Sequence, residues 1–173
     1  LKDYDQALAD GNRILAVVPV SVVNSDGRNA GLTVPSVQSQ VALLKQAYSE
    51  AGIAPSEIDY IESHGTGTAV GDPVETHALG EALGQYRSKD HPLLIGSVKS
   101  NLGHLEAAAG VAGMVKALYC MQYRTVPANI HFESPNPNIH FDEWNRRVAT
   151  ENTPLKKTGK LGIGINSFGF GRT

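Results

Sequence analysis

The sequence predicts a layered α/β fold with a mostly parallel sheet between helices. Two observations predict it: aliphatic, β-branched runs alternate along the chain with stretches of helical spacing, and glycine, proline or asparagine marks each change. A third is compositional. In 173 residues, 41% are hydrophobic and 18% charged, enough apolar surface for a real core.

The elements follow in order. Leu1 to Ala9 is a helix-like run that leads to a Gly11-Asn12 turn. Ile14 to Val23 (ILAVVPVSVV) has the character of a buried strand, and Asn24 to Asn29 is turn chemistry. Val37, Val41, Leu44, Tyr48 and Ala51 recur at helical spacing, with Ser36 placed to cap the start and Gly52 to end it. Ile58 to Ile61 is a short strand that breaks into His64-Gly65-Thr66-Gly67-Thr68. A helix starts near Asp72-Pro73, where a proline in the first turn costs no hydrogen bond, and runs to about Leu83. Leu93 to Val98 is a strand, followed by Lys99-Ser100-Asn101-Leu102-Gly103-His104. From Gly103 to Gln122 an Ala- and Gly-rich stretch reads as a helix buried nearly all round. Residues 124–160 read as a long surface excursion with short strands, and Leu161 to Phe168 as a last strand.

Several function classes are excluded. A net charge of −2 provides no basic footprint for nucleic acid and no polybasic membrane patch. One cysteine precludes an internal disulfide framework. The first residues, LKDYDQALADGNR, lack the apolar core of a secretory signal, and no uncharged apolar stretch reaches membrane length. The expectation is a cytoplasmic protein. The chain opens inside a helix-like run and stops in a glycine loop, Gly169 to Thr173, and so reads as part of a longer domain.

Three loops follow the carboxy ends of three predicted strands. They carry His64, then Lys99 with His104, then Phe168-Gly169-Phe170-Gly171. Ligands collect at the carboxy ends of strands in open α/β sheets, so two imidazoles, an ammonium and a glycine-rich loop should share one crevice. Blander readings exist for each: Lys99 as a surface lysine, Phe168 and Phe170 as core aromatics, Thr66 and Thr68 as satisfiers of turn backbone. His77, His91, His131 and His140 have no expected catalytic role. His64 and His104 lack metal-ligand spacing, so no metal site is predicted.

The motifs themselves carry a resemblance. Glu62-Ser63-His64-Gly65-Thr66-Gly67-Thr68 with Gly71-Asp72-Pro73-Val74-Glu75 resembles the first histidine motif of the β-ketoacyl synthases. The run from Gly96 through Lys99 and His104 to Gly110 resembles the family's lysine and second-histidine motif, and Asn166 to Gly171 its glycine-rich gating loop. Asn24 to Gly27 and Gly31-Leu32-Thr33 resemble the multidomain polyketide synthase branch.

The resemblance implies the carboxy-terminal half of a thiolase-like fold, as one partial domain over residues 1–173. It implies decarboxylative Claisen condensation: an acyl group passes from acyl carrier protein to a cysteine, and a malonyl-type extender loses CO2 and attacks it. His64 and His104 would stabilise the enolate, and Lys99 would orient or polarise. The backbone N–H of Phe168, with Gly169 and Phe170, resembles the oxyanion and gating loop. Thr66, Thr68 and Asn101 resemble groups that hold the phosphopantetheine arm. No intrinsic cofactor is implied, since substrates arrive on that arm. Implied partners are acyl carrier protein, the amino-terminal half of the ketosynthase, neighbouring acyltransferase and other synthase domains, and a second copy in a homodimer.

His104 at a predicted helix start would be kept neutral by the helix dipole. The chain departs from the family twice. Arg172 stands where the pattern has glycine, and the nucleophile is missing. Cys120 lies in the predicted buried helix, without the exposed turn that activates a thiol. Alone, the chain is expected to be inactive. The alternative from another class is a non-catalytic scaffold or carrier-docking fragment.

Overall fold

The computed structural model describes residues 1–27 and 34–169. The expectations for Gly31-Leu32-Thr33, Phe170, Gly171 and Arg172 therefore lie outside the described residues.

Helix α1 (Tyr4–Ala9) is capped by Asp3, whose carboxylate accepts the Gln6 N–H at 3.0 Å. Helix α2 (Val37–Ala51) starts at Ser36, whose hydroxyl accepts from Ser39, and ends at Gly52 with φ +63°, the left-handed turn that glycine tolerates. Strand β1 (Ile58–Glu62), helix α3 (Gly71–Ala82) and strand β2 (Leu93–Gly96) follow. Next come the single-turn helix α4 (Lys99–Leu102), helix α5 (Ala109–Tyr123), strands β3 (Thr125–Val126), β4 (Arg146–Val148) and β5 (Thr153–Pro154), and strand β6 (Gly162–Ile165).

The main sheet has the order β4-β2-β1-β6, parallel throughout, and β3 pairs with β5 in an antiparallel ribbon. Side chains alternate across the strands. Leu93, Ile95 and Ile61 face a core built with Val41 and Leu44 of α2 and Ala78, Leu79 and Ala82 of α3. Leu94 and Tyr60 face the other way, into a core with Cys120 of α5, Val126, Ala149 and Leu155. An irregularity between Ile58 and Tyr60 breaks the alternation and returns Ile58 to the α2/α3 side. The expected α/β layering is what the structure has. Among the described residues, no helix is long and apolar enough to cross a membrane.

Three expectations need correction. Ile14 to Val23 forms no strand, and Leu15, Val17, Val18 and Val23 are exposed. A β-branched run becomes a strand only where a sheet edge takes up its backbone groups, and β4 and β6 at the two edges do not pair with it. The helix expected from Gly103 to Gln122 is interrupted: Gly103 (φ +75°) and Glu106 (φ +51°) turn the backbone, a 3₁₀ turn covers Glu106–Ala108, and α5 begins at Ala109. That helix is also covered on one side only. Ala109, Gly113, Ala117 and Cys120 are buried, while Val111, Val115, Tyr119 and Tyr123 form an exposed stripe at a four-residue repeat.

Residues 127–146 are fastened rather than loose. The buried Arg146 donates to the carbonyls of Thr76 and His140, and its guanidinium stacks over Phe141 and Trp144. The excursion then enters the main sheet as β4.

Candidate active site

Strands β1, β2 and β6 are neighbours and run the same way, so the segments leaving their carboxy ends emerge side by side. His64 follows β1, Lys99 and His104 follow β2, and Phe168 follows β6. The sequence reading brings these groups together, and so does the fold. The His64 and His104 rings lie 5.3 Å apart, centroid to centroid, at 81°. The Phe168 ring is 5.6 Å from that of His64. Lys99 Nζ is 3.5 Å from His64 Nδ1.

The local backbone explains why these side chains converge. Ser63 N–H donates to the Gly96 carbonyl, and so does its hydroxyl, tying the exits of β1 and β2 together. Gly65 has φ +45°, and a Cβ there would lie 2.7 Å from Ser97 Cβ, so only glycine lets the two loops meet. Ser97 is held in turn by Asn129, whose side-chain oxygen accepts its N–H at 2.9 Å.

Glu75 organises the floor of the site. It is 4% exposed and accepts from the His64 N–H at 2.8 Å, the Gly65 N–H at 2.9 Å and the Asn166 amide at 2.9 Å. One carboxylate of α3 thereby fixes the loops after β1 and β6. Burial pushes its pKa up, and the donors aimed at it pull the other way. Asp72, one turn earlier, accepts the Gly67 N–H at 3.0 Å and shapes the Thr66–Thr68 loop.

Both imidazoles have a defined tautomer. His104 Nδ1 accepts the backbone N–H of Glu106 at 3.0 Å. His64 Nδ1 faces the Phe168 N–H at 3.3 Å as well as the Lys99 ammonium. An atom approached by such donors carries no proton, so in each neutral ring the hydrogen sits on Nε2. Burial, then the charges of Lys99 and His104, hold the His64 pKa at about 4. The neutral form is therefore the resident one at pH 7. His104 is not at the helix start expected for it: α5 begins five residues later, at Ala109, and the group facing its Nδ1 is the main-chain N–H of Glu106.

The remaining predicted residues are placed as follows. The Phe168 N–H, expected in an oxyanion hole, is directed at His64. Gly169 is exposed beside it. The Thr66 and Thr68 hydroxyls lie 3.2 Å apart, and Thr68 also accepts the Gly71 N–H at the start of α3. Asn101 is exposed on α4, its amide oxygen accepting from Ser100. Cys120 lies away from this crevice, buried in the core under α5, where desolvation raises its thiol to about 11. It has the character of a small apolar residue, not of a nucleophile.

The family described as beta-ketoacyl synthase, C-terminal domain, matches residues 15–133. The chain belongs to this family. Over its whole length it is 51% identical to a phenolphthiocerol/phthiocerol polyketide synthase of Mycobacterium tuberculosis, of which it spans 9%. It is 48% identical over its whole length to the highly reducing polyketide synthase ZEA2 of Gibberella zeae, spanning 7% of that protein. Among solved structures, the ketosynthase from module 6 of the bacillaene synthase of Bacillus subtilis aligns over 99% of this chain with a TM-score of 0.92 and 39% identity, and the chain spans 31% of it. The polyketide-synthase ketosynthase assignment and the thiolase-like architecture stand on these likenesses.

Sequence reasoning about this ketosynthase chain left Glu75, Asp72 and Asn166 without roles. The signal for Glu75 was present: a carboxylate in the first turns of a helix that follows a loop of glycines with free N–H groups. Asn166 offered only its place at a strand end.

Proposed function

We propose that this chain provides the His64, His104 and Lys99 side of a β-ketoacyl synthase site for decarboxylative Claisen condensation. The observation that carries the reading is the pair of imidazoles at 5.3 Å, each with a donor on Nδ1 and therefore Nε2–H as its own free donor.

The chemistry needs that arrangement. A malonyl-type thioester, delivered on the phosphopantetheine arm of acyl carrier protein, loses CO2. The electron pair of the broken C–C bond moves onto the thioester oxygen. Two Nε2–H donors stabilise that enolate, and each such preorganised donor contributes about 3 kcal/mol. The enolate carbon then attacks an acyl thioester held on a cysteine, and collapse of the adduct returns the cysteine thiolate. Lys99, beside His64 Nδ1, keeps positive charge near the ring and opposes its protonation. Thr66, Thr68 and Asn101 are assigned to the arm, and Phe168 and Gly169 to the loop that admits the acyl chain.

The nucleophile comes from a companion segment, the amino-terminal part of the ketosynthase. The chain spans 31% of the solved bacillaene ketosynthase, and its exposed apolar run (residues 14–23) and the α5 stripe are the surfaces such a segment would cover. Neighbouring acyltransferase and other synthase domains, and a second copy in a homodimer, complete the assembly. Alone, the chain is inactive.

The test uses the complete ketosynthase. His64→Ala should lower elongation by roughly 10²-fold or more, while acylation of the cysteine by an acyl thioester stays close to wild type. Normal elongation by that variant would remove His64 from the mechanism.

A further inference from the structure

Beneath the imidazole pair lies a second polar cluster that the condensation mechanism does not use. Glu62, the last residue of β1, is 2% exposed. Its Oε2 receives Lys116 Nζ of α5 at 2.8 Å and the Tyr60 hydroxyl at 2.7 Å. Lys116 also donates to the Tyr60 oxygen at 2.8 Å, which closes a ring of three groups, and its ammonium lies 5.3 Å from the Tyr60 ring centroid. The other carboxylate oxygen, Oε1, accepts the backbone N–H of Val98.

That last contact joins the cluster to the site. Val98 immediately precedes Lys99, and the 97–99 turn has a further hold from Ser97, whose hydroxyl accepts the Lys99 N–H at 3.3 Å. Glu62 is also two residues before His64. One side chain thus touches the backbone on which Lys99 is mounted and shares a strand end with the ring that Lys99 faces. A buried ion pair is weak evidence for stability, because desolvating two charges offsets much of their attraction. A bridge across β1, α5 and the turn after β2 is more naturally a device for geometry. The backbone approach supports this: a Cβ on Gly113 of α5 would lie 3.1 Å from Glu62 Cγ, so the helix is pressed against the carboxylate stem.

We infer that Glu62, held by Lys116 and Tyr60, is a positioning residue that sets the Val98–Lys99 turn and thereby the contact of Lys99 with His64. The inference rests on the elongation reading above. Charge has a share as well. Lys99 is faced by His64 from the loop after β1, by Asp72 and Glu75 from α3 and by Glu62 from β1; burial lowers its pKa and the three carboxylates oppose that. Glu62 itself is faced by Lys116 and Cys120 from α5 and by Tyr60 from its own strand.

The experiment is a pH profile of elongation in the complete ketosynthase for wild type, Glu62→Gln and Tyr60→Phe, with acylation and thermal unfolding measured beside it. Glu62→Gln keeps an acceptor for Val98 but loses the charge. The expected result is an elongation kcat lowered about tenfold, an unchanged KM for the extender-loaded carrier, acylation within twofold of wild type, and an alkaline limb moved to lower pH. Tyr60→Phe should lower kcat about threefold with its limbs in place. Elongation by Glu62→Gln within twofold of wild type, with an unmoved alkaline limb, would overturn the inference. If Glu62→Gln does not fold, Tyr60→Phe decides: wild-type kcat in that variant overturns the inference, and a loss confined to kcat supports it. His64→Ala, run alongside, separates the two readings, since normal elongation there sinks the site assignment and not the network alone.

Discussion

Glu75→Ala is the most demanding perturbation of the site's framework. The substitution removes the acceptor of three donors: the N–H groups of His64 and Gly65 and the Asn166 amide. A buried donor left without a partner costs about 1–3 kcal/mol. His64 and Gly65 are half-buried, so water can reach them and the low end applies to both. Losing a carboxylate whose ionised form is penalised by burial offsets a further part. The net loss is then about 2–3 kcal/mol. Elongation should fall more steeply, because a ring displaced by about 1 Å can lose roughly 10²-fold in rate. Glu75→Gln is the control. Its single oxygen can keep two donors and its amide opposes the third, so the loss should be about 1 kcal/mol. The assay is thermal unfolding of the complete ketosynthase paired with single-turnover elongation. Equal damage from Ala and Gln, or an alanine variant within about 1 kcal/mol of wild type, would refute the view that Glu75 holds the two loops.

Two further outcomes can be checked. His64 has a folded-state pKa of about 4, below the ordinary 6.5. The unfolded chain therefore binds more protons between those values, and the stability His64 contributes is present above pH 6.5 and lost as pH falls toward 4. Discounted for partial exposure, that is about 1–2 kcal/mol, measurable as the part of the denaturant-midpoint difference between pH 7 and pH 4.5 that His64→Gln removes. At Gly113, alanine should be tolerated with a small shift, since its Cβ would meet Glu62 Cγ at 3.1 Å and Ile165 Cγ2 at 3.3 Å. Valine there should cost about 1–3 kcal/mol by overpacking, and a valine variant as stable as alanine would show that α5 is not tightly seated.

Much of the site was legible because strand ends are legible. The aliphatic run read as a strand over Leu93 to Val98 locates β2, which ends two residues sooner at Gly96, and parallel order then puts Lys99 and His64 at one edge. Helix α2 was readable to the residue, because Ser36 and Gly52 act locally as caps. Less legible were features that depend on what lies across space. The run from Ile14 to Val23 has strand character, yet a strand requires a neighbour's backbone, which periodicity does not report. The break at Gly103 to Ala108 was hidden because the alanine-rich sequence from Ala107 onward favours helix, while Glu106 takes a positive φ that propensity alone would not suggest. The role of Glu75 was obscured because a carboxylate early in a helix is ordinary. Only the fold reveals that three donors from two other loops end on it.

The hydrogen on each Nε2 is placed by peptide N–H groups, those of residues 106 and 168. Main-chain donors belong to every residue except proline. At Phe168 the donor survives any replacement other than proline, while at Glu106, with φ +51°, it also requires a residue that tolerates the left-handed region, such as glycine or asparagine. Proton placement on the two rings is inherited from the course of the backbone.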